Sequence, residues 1–163
     1  MIQLLATRPS EETADAAAPL EETLVELTDL RLQAEQAHWA SAGKGSKGIH
    51  VFLDQFIDQY HAWHDDLIER LGAIGTSSDG RLSTVAAATP LELLPAGELS
   101  DRDVVAFFDE KIGREADRVR ARLEPVGAVD PVSRDLLAGI ARWLDTQGVI
   151  LGASLAARRR RAG

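Results

Sequence analysis

Apolar positions recur at helical spacing along almost the whole chain, with no stretch of strand-like alternation. A first stripe runs through Leu20, Leu24, Leu27, Leu30 and Ala34 to His38, and Pro19 ahead of it suits the opening turn of a helix. A second stripe, over residues 47–73, carries Leu53, Ile57, Leu67, Ile68 and Leu71, and a Gly/Ser stretch from Gly72 to Gly80 ends it. Ser83 and Thr84 are expected to cap a short apolar piece, Val85 to Ala88, which Pro90 stops. Ser100 and Asp101 cap a third long helix with the stripe Val105, Phe108, Ile112, Ala116, Val119 and Leu123, which Pro125 and Gly127 are expected to close. Asp130 followed by Pro131 reads as a cap and first-turn proline for a fourth helix, whose stripe is Leu137, Ile140, Leu144, Leu151 and Leu155.

Four long helices with an excursion between the second and third predict an all-α, ferritin-like four-helix bundle with a short extra helix in that connection. The 163 residues allow one domain. Residues 18–157 form it, with an N-terminal tail over 1–17 and a basic C-terminal tail over 158–163. At 45% hydrophobic and 27% charged, the chain can bury a core and is unlike a disordered polypeptide. Cysteine is absent, which excludes a disulfide scaffold, a thiolate zinc site and a cysteine nucleophile, and fits a reducing compartment. No apolar run has the length of a membrane span or the form of a signal peptide, so a soluble, cytoplasmic protein is expected. The net charge of −8 makes an acidic body that does not by itself approach nucleic-acid phosphates. Arg158, Arg159, Arg160 and Arg161 stand apart as a cationic end that could neutralise phosphates of DNA.

All four histidines (His38, His50, His61 and His64) fall in the first two helices. A single-chain di-iron site draws ligands from all four helices through two Glu-x-x-His pairs. Here Glu35-x-x-His38 is one such pair and Asp58-x-x-His61 is a degenerate second, both on the same half of the bundle. That distribution counts against an intra-chain di-iron oxygenase.

The second helix carries two other pairs. His50 and Asp54 are four apart, as are Asp65 and Glu69, so each pair shares a face. Asp54 and Asp65 differ by about 20° around the axis but by roughly 16 Å along it, too far to hold one ion with bonds of about 2 Å. A second copy of the helix, antiparallel about a twofold axis between Gln59 and Tyr60, removes the difficulty. It sets His50 against Glu69 and Asp54 against Asp65, joining both half-sets into two identical mixed-chain sites. His38 can supply a second imidazole. Two histidines plus carboxylates with open positions suit Fe(II) and an oxidant. By the same symmetry His61 faces Asp58 of the other chain, where a hydrogen bond across the axis is expected.

His38-Trp39, His50-x-x-x-Asp54 and Asp65-x-x-x-Glu69 together resemble the ferroxidase signature of Dps mini-ferritins (DNA-binding proteins from starved cells), and Asp79-Gly-Arg-Leu-Ser-Thr-Val-Ala resembles that family's loop and short helix on the dyad. The likeness covers about Leu20 to Leu155. It implies a hollow dodecamer built from twofold dimers, in which His38, His50 and Asp54 of one subunit and Asp65 and Glu69 of its neighbour oxidise Fe(II), preferably with hydrogen peroxide. Ferric mineral then collects inside. It also implies that Asp130 and Asp135 line a threefold pore admitting iron, although the acidic position expected one turn further on is Gly139 here. Many members bind DNA through basic tails, so the resemblance carries an alternative: a nucleoid-protecting shell in which iron oxidation is secondary.

Overall fold

The apolar stripes become helices in the expected order. The computed structural model describes residues 15–41 and 47–162, with side chains as far as Ser154. Among these, α1 spans Ala17–Ala40, α2 Lys47–Ala73, α3 Leu82–Ala88, α4 Asp101–Val129 and α5 Pro131–Ala162. The four long helices form the bundle and α3 lies in the connection between α2 and α4. The side chains of Leu155 and of Arg158 to Arg161 lie outside what is described, while the backbone of α5 runs on helically to Ala162.

The inward faces are those read from the pattern. Leu20, Leu27, Leu30 and Ala34 of α1, Leu53, Leu67 and Leu71 of α2, Phe108, Ile112 and Val119 of α4, and Leu137, Ile140 and Leu144 of α5 are all fully buried. The second helix adds Phe52, Phe56 and Tyr60 at four-residue spacing. Phe56 stacks on Trp143 of α5 with ring centres 4.9 Å apart, and meets Phe108 of α4 edge-on at 6.4 Å. These three rings tie α2 across the bundle by large-area aromatic packing.

Two local expectations fail, each for a physical reason. Pro125 and Gly127 do not close the third long helix, because α4 continues through both to Val129. Proline removes one N–H bond, but Val126 is buried and its carbonyl accepts the Asp130 N–H at 2.7 Å, so packing of the final turn outweighs local propensity. The Arg134 side chain lies over Gly127, where a Cβ would come 2.6 Å from its Cδ. The helix stops at Asp130, extended at φ −147° and ψ 93° as a residue before proline prefers. Nor do Ser83 and Thr84 cap α3. Its N-cap is Arg81, with no side-chain cap bond. Asp79 organises the turn, accepting from the Arg81 Nε (2.8 Å) and backbone N–H (3.1 Å) and from the Thr84 hydroxyl (2.8 Å). The Arg81 hydrogen bonds, joined by that of Thr84, hold this carboxyl well below the usual range.

The seam between α1 and α4 contains charge. Glu26 and Glu115 are buried, and Arg122 forks onto Glu26 at 2.6 and 2.9 Å while Arg118 spans both acids, 3.0 Å from Glu26 and 2.5 Å from Glu115. Burial, reinforced by the hydrogen bond and charge of Glu26, pushes Glu115 up to about 8. Burial also raises Glu26, but Arg122, Glu115 and Arg118 outweigh it and hold that carboxyl below its ordinary value. The folded chain therefore keeps a proton on Glu115 that the unfolded chain releases above the normal glutamate range. The stability contributed by this proton is complete at low pH and is lost as pH rises toward 8. Wild-type unfolding free energy is expected to fall between pH 5 and 8 by up to about 1.4 kcal/mol per pH unit from this group. Glu115→Gln should flatten that slope in denaturant titrations at a series of pH values, and a slope unchanged by the substitution would assign it elsewhere.

Candidate metal centre

The last turn of α1 delivers His38 and the first turn of α2 delivers His50, with Asp54 one turn further on. The end of α1 is fixed by Ser41, whose hydroxyl and N–H both donate to the Ala37 carbonyl at 2.7 and 2.9 Å. Leu99, from the segment leading into α4, donates its N–H to the Ala40 carbonyl at 3.0 Å. So anchored, His38 Nε2 lies 3.1 Å from His50 Nδ1 and 3.1 Å from Asp54 Oδ1, the imidazoles meeting edge-on with centres 4.3 Å apart. The His38 side chain is 29% exposed and that of Asp54 is 61%, so the cluster opens to the surface.

Asp65 and Glu69 do not join it within one chain. Both are exposed on α2, and Asp65 pairs with His64 at 3.3 Å. The straight helix keeps Asp54 and Asp65 roughly 16 Å apart. Among the described residues, no group of three or more histidine or acidic side chains is arranged to hold a metal ion. Glu35, the acid of the Glu-x-x-His pair, is bound to Arg31. In the bundle interior, where an intra-chain site would sit, the counter-charges to Glu26 and Glu115 are Arg118 and Arg122.

Further residues support the face that carries these acids. Tyr60 is buried and its hydroxyl meets the Thr28 hydroxyl at 2.8 Å; Thr28 in turn donates to the Leu24 carbonyl at 2.6 Å. Arg31 covers the tyrosine ring at 5.3 Å. Burial, the largest influence, raises the Tyr60 phenol above its ordinary range. Trp39, next to His38, stands 74% exposed, whereas Trp63 and Trp143 pack together with ring centres 6.4 Å apart.

Asp130 proves to be a cap. Its carboxylate accepts from the Val132 N–H (3.2 Å), from Ser133 and from the Arg70 guanidinium (2.5 Å), and it is buried. Burial raises this carboxyl, yet the Arg70 and Ser133 hydrogen bonds prevail and hold it below its usual value. Asp135 is exposed beside Arg134. At position 139 a side chain would crowd Trp63, since a Cβ on Gly139 would come 3.0 Å from its ring.

No family model matches the chain. It is 35% identical over 136 residues to DNA protection during starvation protein 2 of Deinococcus radiodurans, a match covering 83% of this chain and 56% of that protein. The solved Dps92 structure from the same organism superposes with a TM-score of 0.85 at 32% identity, covering 88% of this chain and 87% of that one. The chain belongs to the Dps family. A Dps structure from Microbacterium arborescens, described as its high iron form, aligns with a TM-score of 0.84 at 28% identity over 92% of this chain and 99% of that one. The present chain thus spans little more than half the length of the Deinococcus relative but nearly all of the structurally aligned Dps subunits. Among its described residues, no helix is long and apolar enough to cross a membrane.

Proposed function

We propose that this Dps-family chain is a cytoplasmic ferroxidase and iron store: it oxidises Fe(II), with hydrogen peroxide as oxidant, at sites shared between two subunits, and holds the ferric product inside a hollow dodecamer. The observation carrying this reading is the convergence of His38, His50 and Asp54 at the surface, on the helix that also presents Asp65 and Glu69 at the mirror-related spacing. His38, His50 and Asp54 of one chain bind iron together with Asp65 and Glu69 of its twofold mate. Imidazole nitrogen and carboxylate oxygen suit Fe(II), and the carboxylates favour the ferric product as charge grows. Two Fe(II) ions, each giving one electron, reduce one peroxide with two protons to two waters, so no free hydroxyl radical forms. With Asp130 engaged by Arg70, admission of iron through a threefold pore rests on Asp135. The high iron form recorded for the Microbacterium relative supports iron as cargo.

The test is anaerobic Fe(II) loading followed by peroxide, with ferric absorbance read in the near ultraviolet. His38→Ala and Asp54→Asn are each expected to slow the initial rate by about tenfold or more, as removal of a direct ligand does. Full rates in correctly assembled variants would overturn the reading. A second reading is a DNA-protecting shell with secondary iron chemistry. Arg158 to Arg161, at the end of α5, and the name of the Deinococcus relative support it. Phosphate neutralisation by those arginines makes any such complex weaken steeply with salt.

A further inference from the structure

The exposed stripe of α2 contains more metal-binding side chains than the proposed iron sites use. His50, Asp54, Asp58, His61, Asp65 and Glu69 follow one another at intervals of four, four, three, four and four, and all six fall within about 100° of the helix surface. The sequence of intervals reads the same in both directions about a point between Gln59 and Tyr60. A twofold axis at that point pairs the outer four residues as the shared iron centres require. It also pairs Asp58 with His61, and these two have no part in iron oxidation.

We propose that Asp58 and His61, together with the same two residues of a second copy of this chain, form a closed tetrahedral site for zinc on the twofold axis, midway between the two iron centres. The inference rests on the shared-site reading of α2 given above. Asp58 and His61 are both exposed in the single chain, and neither has a hydrogen bond or ion pair among the described residues. The His61 ring lies edge-on to its neighbour Tyr60 at 5.6 Å and 68°, and Tyr60 is itself buried and bonded to Thr28. Residues three apart are neighbours on a helix, about 5–6 Å between Cβ atoms. An antiparallel copy at the usual 8–10 Å separation sets its His61 against Asp58 and its Asp58 against His61. Two carboxylates and two imidazoles then surround one point.

Chemistry favours a cation there. Two carboxylates brought together at an interface repel unless a counter-charge joins them. A divalent ion balances both acids while accepting neutral imidazole nitrogens, and two nitrogens with two oxygens complete the four-coordinate shell of zinc. With every position filled by protein, the site is structural and not reactive. It pins the dyad roughly 11 Å from each iron centre, from seven to eight residues at about 1.5 Å each.

Full-length protein in a His50→Ala, Asp65→Ala background, which removes two of the five proposed ligands from every iron centre, is the starting point for the test. After metal removal it is titrated with Zn(II) and weighed by native mass spectrometry, with Co(II) substituted in parallel. One tightly held zinc per two chains is expected, together with the strong visible absorption of four-coordinate cobalt. Adding either His61→Ala or Asp58→Asn should abolish both signals in assemblies of unchanged mass. An assembled background that binds no such zinc, or a zinc count unchanged by both substitutions, overturns the site and leaves a direct Asp58–His61 hydrogen bond across the axis. Wild-type chains that stay single in solution would sink the shared iron centres and this site together. An assembled, iron-oxidising protein lacking the axial zinc would remove this site alone.

Discussion

Assemblies formed by refolding His50→Ala and Asp65→Ala chains in equal amounts are expected to recover about a quarter of the wild-type rate of Fe(II) oxidation, although each variant alone falls by about tenfold or more. The fraction follows from symmetry. Half of the dimers in a random mixture contain one chain of each kind. In such a dimer one site carries both lesions, while the other combines an unaltered His38, His50 and Asp54 with an unaltered Asp65 and Glu69. Sites confined to single chains give no recovery, since every chain is then damaged. Initial rates read in the near ultraviolet, with native mass to show that mixed assemblies have formed, distinguish the two outcomes.

The second large effect concerns the corner between α4 and α5. Asp130→Ala is expected to cost about 3 kcal/mol of stability, because it strips a helix N-terminus of its cap and leaves the Arg70 guanidinium, only 21% exposed, without its carboxylate. Asp135→Ala, at an exposed position, should change stability by no more than about 0.5 kcal/mol while slowing accumulation of iron. Chemical denaturation and iron-loading curves on the two variants measure these effects separately. An Asp130 variant as stable as wild type but unable to load iron would assign Asp130 to the pore and remove its structural role.

Much of the fold was legible because burial and periodicity are the same fact in a helical bundle. Each of the stripes beginning at Leu20, Val105 and Leu137 became an inward face. The misjudged helix ends were decided by tertiary contacts that no local rule contains: Val126 packing beyond Pro125, and Asp79 gathering Arg81 and Thr84. The buried charges between α1 and α4 were overlooked, yet left a trace. Glu115 occupies a core position between Ile112 and Val119, and an acid there calls for a partner. At the candidate metal centre, the spacing of His50 and Asp54 gave one shared face, but the approach of His38 to 3.1 Å depends on how the end of α1 at Ser41 is held. That a side chain at position 139 would crowd Trp63 was not visible in the pattern either.

Trp39 beside His38, Val51 flanking the acidic stripe and Leu82 on the short helix all present large apolar surfaces to water in the lone chain. Such surfaces favour association by the hydrophobic effect. On the shared-site reading, association of two chains also completes the iron centres. Catalytic competence would then depend on how much of the protein has been made: a dilute chain carries only half-centres, and oxidation begins where enough subunits have gathered to enclose the rust they produce.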